Sequence, residues 1–169
     1  MESTKYKGRT IVALAAVILQ ICALLLVIAL TAGQDVVKTV LSPGTSLEEF
    51  RTVPVGAILK TVVMLIFYLA FMGLSFAKQK DNMSKGIAVT LFICVCVIDI
   101  LLGFVVGRIE NVIVASKGGM EALASLSVLN NAISFVSGPL TVVAFALFCM
   151  AIGMCMNEKN DAIEKIPEL

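Results

Sequence analysis

The chain has 169 residues, of which 59% are hydrophobic and 15% are charged, with a formal net charge of +1. A typical soluble domain is roughly half apolar and about a quarter charged, so this composition excludes that class. Histidine and tryptophan are absent, and no phosphate loop, carboxylate pair or nucleophile–base motif occurs. We therefore expect a membrane protein that is not an enzyme, with no catalytic residue, no metal and no cofactor.

Four segments are long and apolar enough to cross a hydrocarbon core, which takes roughly 20 residues at about 1.5 Å each. They cover about residues 10–32, 53–77, 86–106 and 132–156. The sequence therefore predicts an all-α, integral membrane four-helix bundle, one domain over residues 1–169, with a short charged tail at 157–169. The first segment resembles a secretory signal but lacks a small-x-small cleavage site, so we predict a retained helix.

Basic residues at the ends of the segments predict the orientation. The N-terminal flank, the turn between the second and third segments, and the tail hold eight of them, against four in the two other connections. By the positive-inside rule both termini are expected in the cytoplasm, in a multi-pass protein of the cell membrane. The eight are Lys5, Lys7, Arg9, Lys78, Lys80, Lys85, Lys159 and Lys165, and the four are Lys38, Arg51, Arg108 and Lys117.

Each of the two longer, outer connections carries a helix signal. In the first, Ser46 and Glu49 match a capping box after a Pro-Gly turn, which predicts a short surface helix. In the second, leucines recur every three residues on one face, with Glu121 and Ser125 on the opposite face. This spacing predicts a helix lying on the outer membrane surface. The leucines are Leu123, Leu126 and Leu129.

A weak internal repeat relates the second and fourth segments. Residues 61–81 align without gaps with residues 141–161: both begin Thr-Val-Val and carry a glycine twelve residues later, Gly73 and Gly153. The pattern predicts a duplicated helical hairpin, an arrangement that some membrane transporters share. The alternative is that apolar segments resemble one another by composition alone.

Three strongly polar residues, Gln20, Lys60 and Asp99, lie inside the predicted spans. An intramembrane charge costs roughly 2.5 to 3.5 kcal/mol, so it needs compensation. Lys60 and Asp99 each lie seven residues inside the outer ends of neighbouring helices, both roughly 10 Å deep, which allows an ion pair. Gln20 aligns with Asp99 at nearly the offset of the repeat. We predict a polar cluster that either fixes helix packing or lies on an ion or solute path.

Small residues predict where helices meet. Gly103 and Gly107 follow Asp99 at spacings of four and eight, which is the pattern of close helix approach and predicts a protein-packed face. Gly73 and Gly153 are further predicted packing positions.

The cysteines are expected to pack as small hydrophobes, because Cys94 and Cys96 point about 200° apart on a helix and cannot chelate together. All five cysteines lie inside apolar segments.

These features favour a helical subunit or self-associating scaffold in the lipid bilayer, as a homo-oligomer or with a membrane-protein partner. The alternative is a small oligomeric channel or transporter with its site at Asp99, Lys60 and Gln20. A membrane enzyme or thiol-redox protein is a weaker third hypothesis. Nucleic acid is not an expected partner, because the tail is acidic and no basic patch occurs.

Overall fold

A computed structural model describes residues 7–43, 51–78 and 83–157. Within these ranges the regular structure is entirely helical, which confirms the predicted all-α class. The predicted capping box of Ser46 and Glu49 lies outside the described residues. The helices are α1 (Lys7–Ala32), α2 (Gln34–Leu41), α3 (Val55–Ala77), α4 (Lys85–Leu101) and α5 (Gly107–Met156), and a π-helix, Leu102–Val106, joins α4 to α5.

Three helical stretches in the described part of the chain are long and apolar enough to cross a membrane: Lys7–Ala32, Val55–Ala77 and Lys85–Met156. The first two end at the residues predicted from the sequence. The third contains both remaining predicted segments, 86–106 and 132–156, because the connection between them is helical as well.

Gly119 divides α5 into two arms, a first arm before it (residues 107–118) and a second arm after it (residues 120–156). Its φ of 67° and ψ of −157° are not helical, and it alone among the described residues has a positive φ. This region of backbone space is open almost only to glycine. The second arm runs back along α4, because the Cys155 thiol near its end lies 3.8 Å from the carbonyl oxygen of Met83, just before α4.

The residues predicted to lie on the membrane surface are instead part of the bundle. Leu126 and Leu129 are fully buried, and Leu129 packs against Val27 of α1. Ser125, predicted on the opposite face, is fully buried too. That prediction was wrong because leucine periodicity identifies a helix but not what covers it, and here α1 and α2 both pack against α5.

The core is built around α1, which packs along both α3 and α5. Alanines on its inner face, Ala13, Ala16 and Ala23, are at most 2% exposed and allow close approach of the neighbouring helices. By contrast, α4 contacts α3 and α5 over shorter stretches. The bundle is therefore tight around α1 and looser around α4.

Aromatic rings fill the contact between α3 and α5. The rings of Tyr68 and Phe148 stack with centroids 4.7 Å apart, and Phe71 meets Phe148 edge-on at 5.4 Å. Such pairs contribute about 0.5 to 1.5 kcal/mol beyond the area that they bury. Tyr68 and Phe148 hold the same position in the aligned segments 61–81 and 141–161, so equivalent residues of the predicted repeat lie against each other.

Candidate functional site

The three polar residues predicted to cluster, Gln20, Lys60 and Asp99, border one cavity of about 550 Å³. Gln20 comes from α1, Lys60 from α3 and Asp99 from α4, while the second arm of α5 contributes the remaining wall. The cavity lies where α4 is loosely packed, so it follows from the uneven packing of the bundle. It is large enough for a small solute.

Lys60 and Asp99 form an ion pair at this cavity. The Lys60 ammonium nitrogen lies 3.0 Å from Oδ1 of Asp99. The two side chains remain 44% and 37% exposed, so the pair borders the open side of the cavity. The equal depth of the two residues on antiparallel neighbours is what brings them together. Because the charges cancel, the pair provides a donor and an acceptor without a net charge.

Gln20 adds a buried amide from α1, next to the helix that carries Lys60. Its Nε2 donates to the carbonyl oxygen of Thr61 at 3.2 Å, and the residue is 2% exposed. Its Oε1 has no hydrogen-bond partner among the described residues. A buried acceptor without a donor costs about 1 to 3 kcal/mol. The site therefore has an acceptor that a bound donor would satisfy.

Hydroxyl groups of α5 line the cavity, and sequence reasoning missed them. Ser137 and Thr141 donate to carbonyl oxygens of their own helix, at 2.8 Å and 2.7 Å, which leaves their oxygen lone pairs available as acceptors. Ser134 borders the cavity as well. The signal was present, because spacings of three and seven residues place these side chains on one face of a helix.

The predicted packing glycines do not serve contacts within the described part of the chain. A Cβ built at Gly73, Gly103, Gly107 or Gly153 would meet no atom within 4 Å. The protein-packed face predicted at Gly103 and Gly107 is therefore not formed among the described residues of this chain, and for a partner molecule it stays a prediction. The π-helix between Asp99 and Gly107 accounts for it, because its wider turn breaks the four-residue spacing that would align them.

A second polar cluster involves α2, which lies in the connection between the first two predicted spans. Lys38 is fully buried and donates to Oε1 of Gln34 at 3.0 Å, and the same oxygen accepts from the Thr52 backbone at 3.0 Å. Burial lowers the pKa of Lys38, and the nearby Asp35 carboxylate opposes this shift only in part. The sequence signal was the spacing of Gln34 and Lys38, which places both on one helix face.

We expect this buried lysine to make the protein more stable as the pH rises. The pKa of Lys38 is lower in the folded chain than its ordinary value of 10.5, so the unfolded chain binds the proton more tightly. Between those two pKa values, raising the pH therefore favours folding. Thermal unfolding followed by circular dichroism from pH 7 to 10 tests this. The increase in the unfolding midpoint with pH should be smaller in Lys38→Met than in the unchanged protein. If the midpoint rises equally with pH in both proteins, the expectation is contradicted.

The thiols and carboxylates of the described residues do not form a group that could hold a metal ion. None of the five cysteines, all of which lie in the described ranges, forms a disulfide; Cys96 borders the cavity, and Cys22 lies on an exposed face of α1. Within residues 7–43, 51–78 and 83–157, no three potential ligand side chains come together in a group that could hold a metal ion. The polar groups that border the cavity include the ion pair, the Gln20 amide and the hydroxyl groups of α5.

No family model, no curated protein and no solved structure gives a significant match to this chain.

Proposed function

We propose that this protein is a multi-pass membrane protein that binds a small polar solute in the cavity between its helices and carries it across the membrane. One observation carries the proposal: an ion pair and an unsatisfied buried acceptor border a single cavity within the apolar length of the bundle. Ionisable residues at such depth are expensive and typically mark a substrate or ion path.

Membrane embedding is supported by which side chains face outward. On α1 the exposed positions include Ile18 and Leu25, at 51% and 60%, while Gln20 is buried. On α2 the arrangement is the same, since Val36 and Val40 are 68% and 70% exposed and the polar face is inside. A surface this apolar suits lipid and not water. We infer four crossings, by α1, α3, α4 and the second arm of α5, which would put both termini on one side of the membrane, and the basic residues favour the cytoplasm.

The chemistry of the cavity favours a neutral or zwitterionic solute. A solute with a net charge would find no uncompensated opposite charge in the cavity, because Lys60 and Asp99 neutralise each other. A zwitterion can instead place an anionic group near Lys60 and a cationic group near Asp99 while it donates to Gln20 Oε1. The π-helix that begins three residues after Asp99 is a further indication, since such segments are frequent at functional sites.

We expect a thiol at position 96 to react with water-soluble reagents, because a solute path must be wet. Thiols react as thiolates, which form readily only where water is present. In liposomes, a variant that keeps only Cys96 should be labelled by a charged methanethiosulfonate about tenfold faster than one that keeps only Cys22. Cys22 is the matched control because it is exposed on the outer, apolar side of α1. Equally slow labelling of both variants would contradict the proposal.

A helical subunit or scaffold is the second candidate. The open positions at Gly73, Gly103, Gly107 and Gly153 favour it, because small residues unused within the chain leave room for a helix of another molecule. This role becomes the better account if Cys96 proves as unreactive as Cys22.

A further inference from the structure

A second cavity, of about 610 Å³, lies where the start of α3 meets the first arm of α5. It shares no lining residue with the cavity of the proposed function. Its polar border consists of Arg51, Thr52, Glu110 and Lys117, and its walls are valine and isoleucine side chains. The first arm lies in the connection between the third and fourth predicted spans, and neither the cavity nor its acidic residue was predicted from the sequence.

Glu110 is the central group of this cavity. It is 8% exposed, and its Oε2 accepts a hydrogen bond from the backbone nitrogen of Gly56 at 3.3 Å. A Cβ at position 56 would lie 2.8 Å from that oxygen, so a larger residue there would displace the carboxylate. The carboxylate thereby satisfies an amide in the first turn of α3, where negative charge is favourable. Its other oxygen, Oε1, is buried and has no hydrogen-bond partner among the described residues.

The remaining border supplies positive charge and apolar surface. Arg51, which pairs with Asp35 at 2.5 Å, and Lys117 both border the cavity. The adjoining walls are exposed, with Val55 and Ile109 each 53% accessible. A molecule that fills this cavity should therefore carry a hydrogen-bond donor for the carboxylate, an anionic group for the cations and an apolar portion for the walls.

The position of the cavity indicates which class of molecule would fill it. It lies at the start of α3 and at the end of the π-helix, where the predicted spans 53–77 and 86–106 both reach the same membrane surface. Phospholipid head groups occupy this level, with their acyl chains directed along the exposed apolar walls. A soluble molecule would not explain why the cavity continues into exposed valine and isoleucine.

We propose that this cavity binds the head group of a phospholipid that carries a primary amine, with its ammonium at Glu110 and its phosphate at Arg51 and Lys117. The ammonium would supply the donor that Glu110 Oε1 lacks, in a charge-assisted hydrogen bond. A quaternary ammonium head group has no N–H donor and cannot make it. The inference rests on membrane embedding but not on the solute cavity, so it and the Cys96 labelling can fail independently.

The test is the thermal stability of the detergent-purified full-length protein with added lipid. Dioleoyl phosphatidylethanolamine should raise the unfolding midpoint about 5 °C more than the same amount of dioleoyl phosphatidylcholine. Equal shifts from the two lipids would overturn the proposal. An equal shift from free phosphoethanolamine would also overturn it, because the site would then recognise a soluble molecule.

Variants identify the group that distinguishes the two lipids. Glu110→Gln keeps an oxygen for the Gly56 amide but replaces the free acceptor with a donor, so the difference between the lipids should vanish. Glu121→Gln is the matched control, since Glu121 is exposed and does not border the cavity; it should keep the difference. A difference that persists in Glu110→Gln would overturn the proposal. If that variant does not fold, Lys117→Gln should reduce the phosphatidylethanolamine shift by at least about half.

Discussion

Replacing Asp99 with alanine is expected to destabilise the protein by about 2 to 3 kcal/mol. The change removes the carboxylate that lies 3.0 Å from the Lys60 ammonium and leaves that charge within the apolar length of the bundle. An uncompensated charge at this depth costs more than the pair it came from. Unfolding by sodium dodecyl sulfate in mixed micelles, followed by circular dichroism, measures the loss.

The double variant Asp99→Ala with Lys60→Met separates this effect from a general loss of packing. Removing both charges removes the uncompensated ammonium, so the double variant should be more stable than Asp99→Ala alone. The loss of stability in the double variant should then be smaller than the sum of the losses in the two single variants, which is the result expected for a favourable pair. Strictly additive losses would show that the two groups do not interact in the folded protein.

Replacing Gly119 with alanine is the second large effect that we expect, with a loss of about 1 to 3 kcal/mol. The φ of 67° and ψ of −157° at this residue are accessible to glycine but strained for any residue with a Cβ. The strain falls where the two arms of α5 meet, so relieving it would displace one arm from the other. Thermal unfolding in detergent measures the change.

The neighbouring residue, Gly118, provides a control, because its replacement by alanine should not lower the stability. Gly118 does not have a positive φ and lies at the end of the first helical arm. Alanine favours a helix over glycine by about 0.5 to 1 kcal/mol, so Gly118→Ala should leave stability unchanged or raise it. If Gly119→Ala proved as harmless as Gly118→Ala, the chain would not turn at residue 119 as described.

Apolar length and position along a helix could be predicted from the sequence. The ends of α1 and α3 follow from where the apolar runs stop, and the Lys60–Asp99 pair follows from counting turns on two antiparallel helices. Both depend on local spacing, which the sequence carries directly. The proximity of Gln20 required in addition that α1 packs beside α3, and the approximate repeat indicated this.

The polar residues near the ends of the helices could not be predicted in the same way. The burial of Lys38 and Glu110 was not predicted, because charges between apolar segments are usually solvated. Their burial depends on contacts distant in the chain, because Gln34, which accepts from Lys38, also accepts from the Thr52 backbone, and Glu110 accepts from the Gly56 backbone. Hydropathy reports how a segment partitions between water and lipid, but it does not report which side chains another helix covers.

The stacked rings of Tyr68 and Phe148 bear on how a chain of this kind can originate. The predicted repeat makes these two residues equivalent, and two separate copies of one hairpin that paired with twofold symmetry would form the same central contact as a homodimer. Fusing the two genes would free the copies to diverge. On this hypothesis one copy carries the acid of Asp99 where the other carries the uncharged amide of Gln20, which would leave the fused chain with a single charged site.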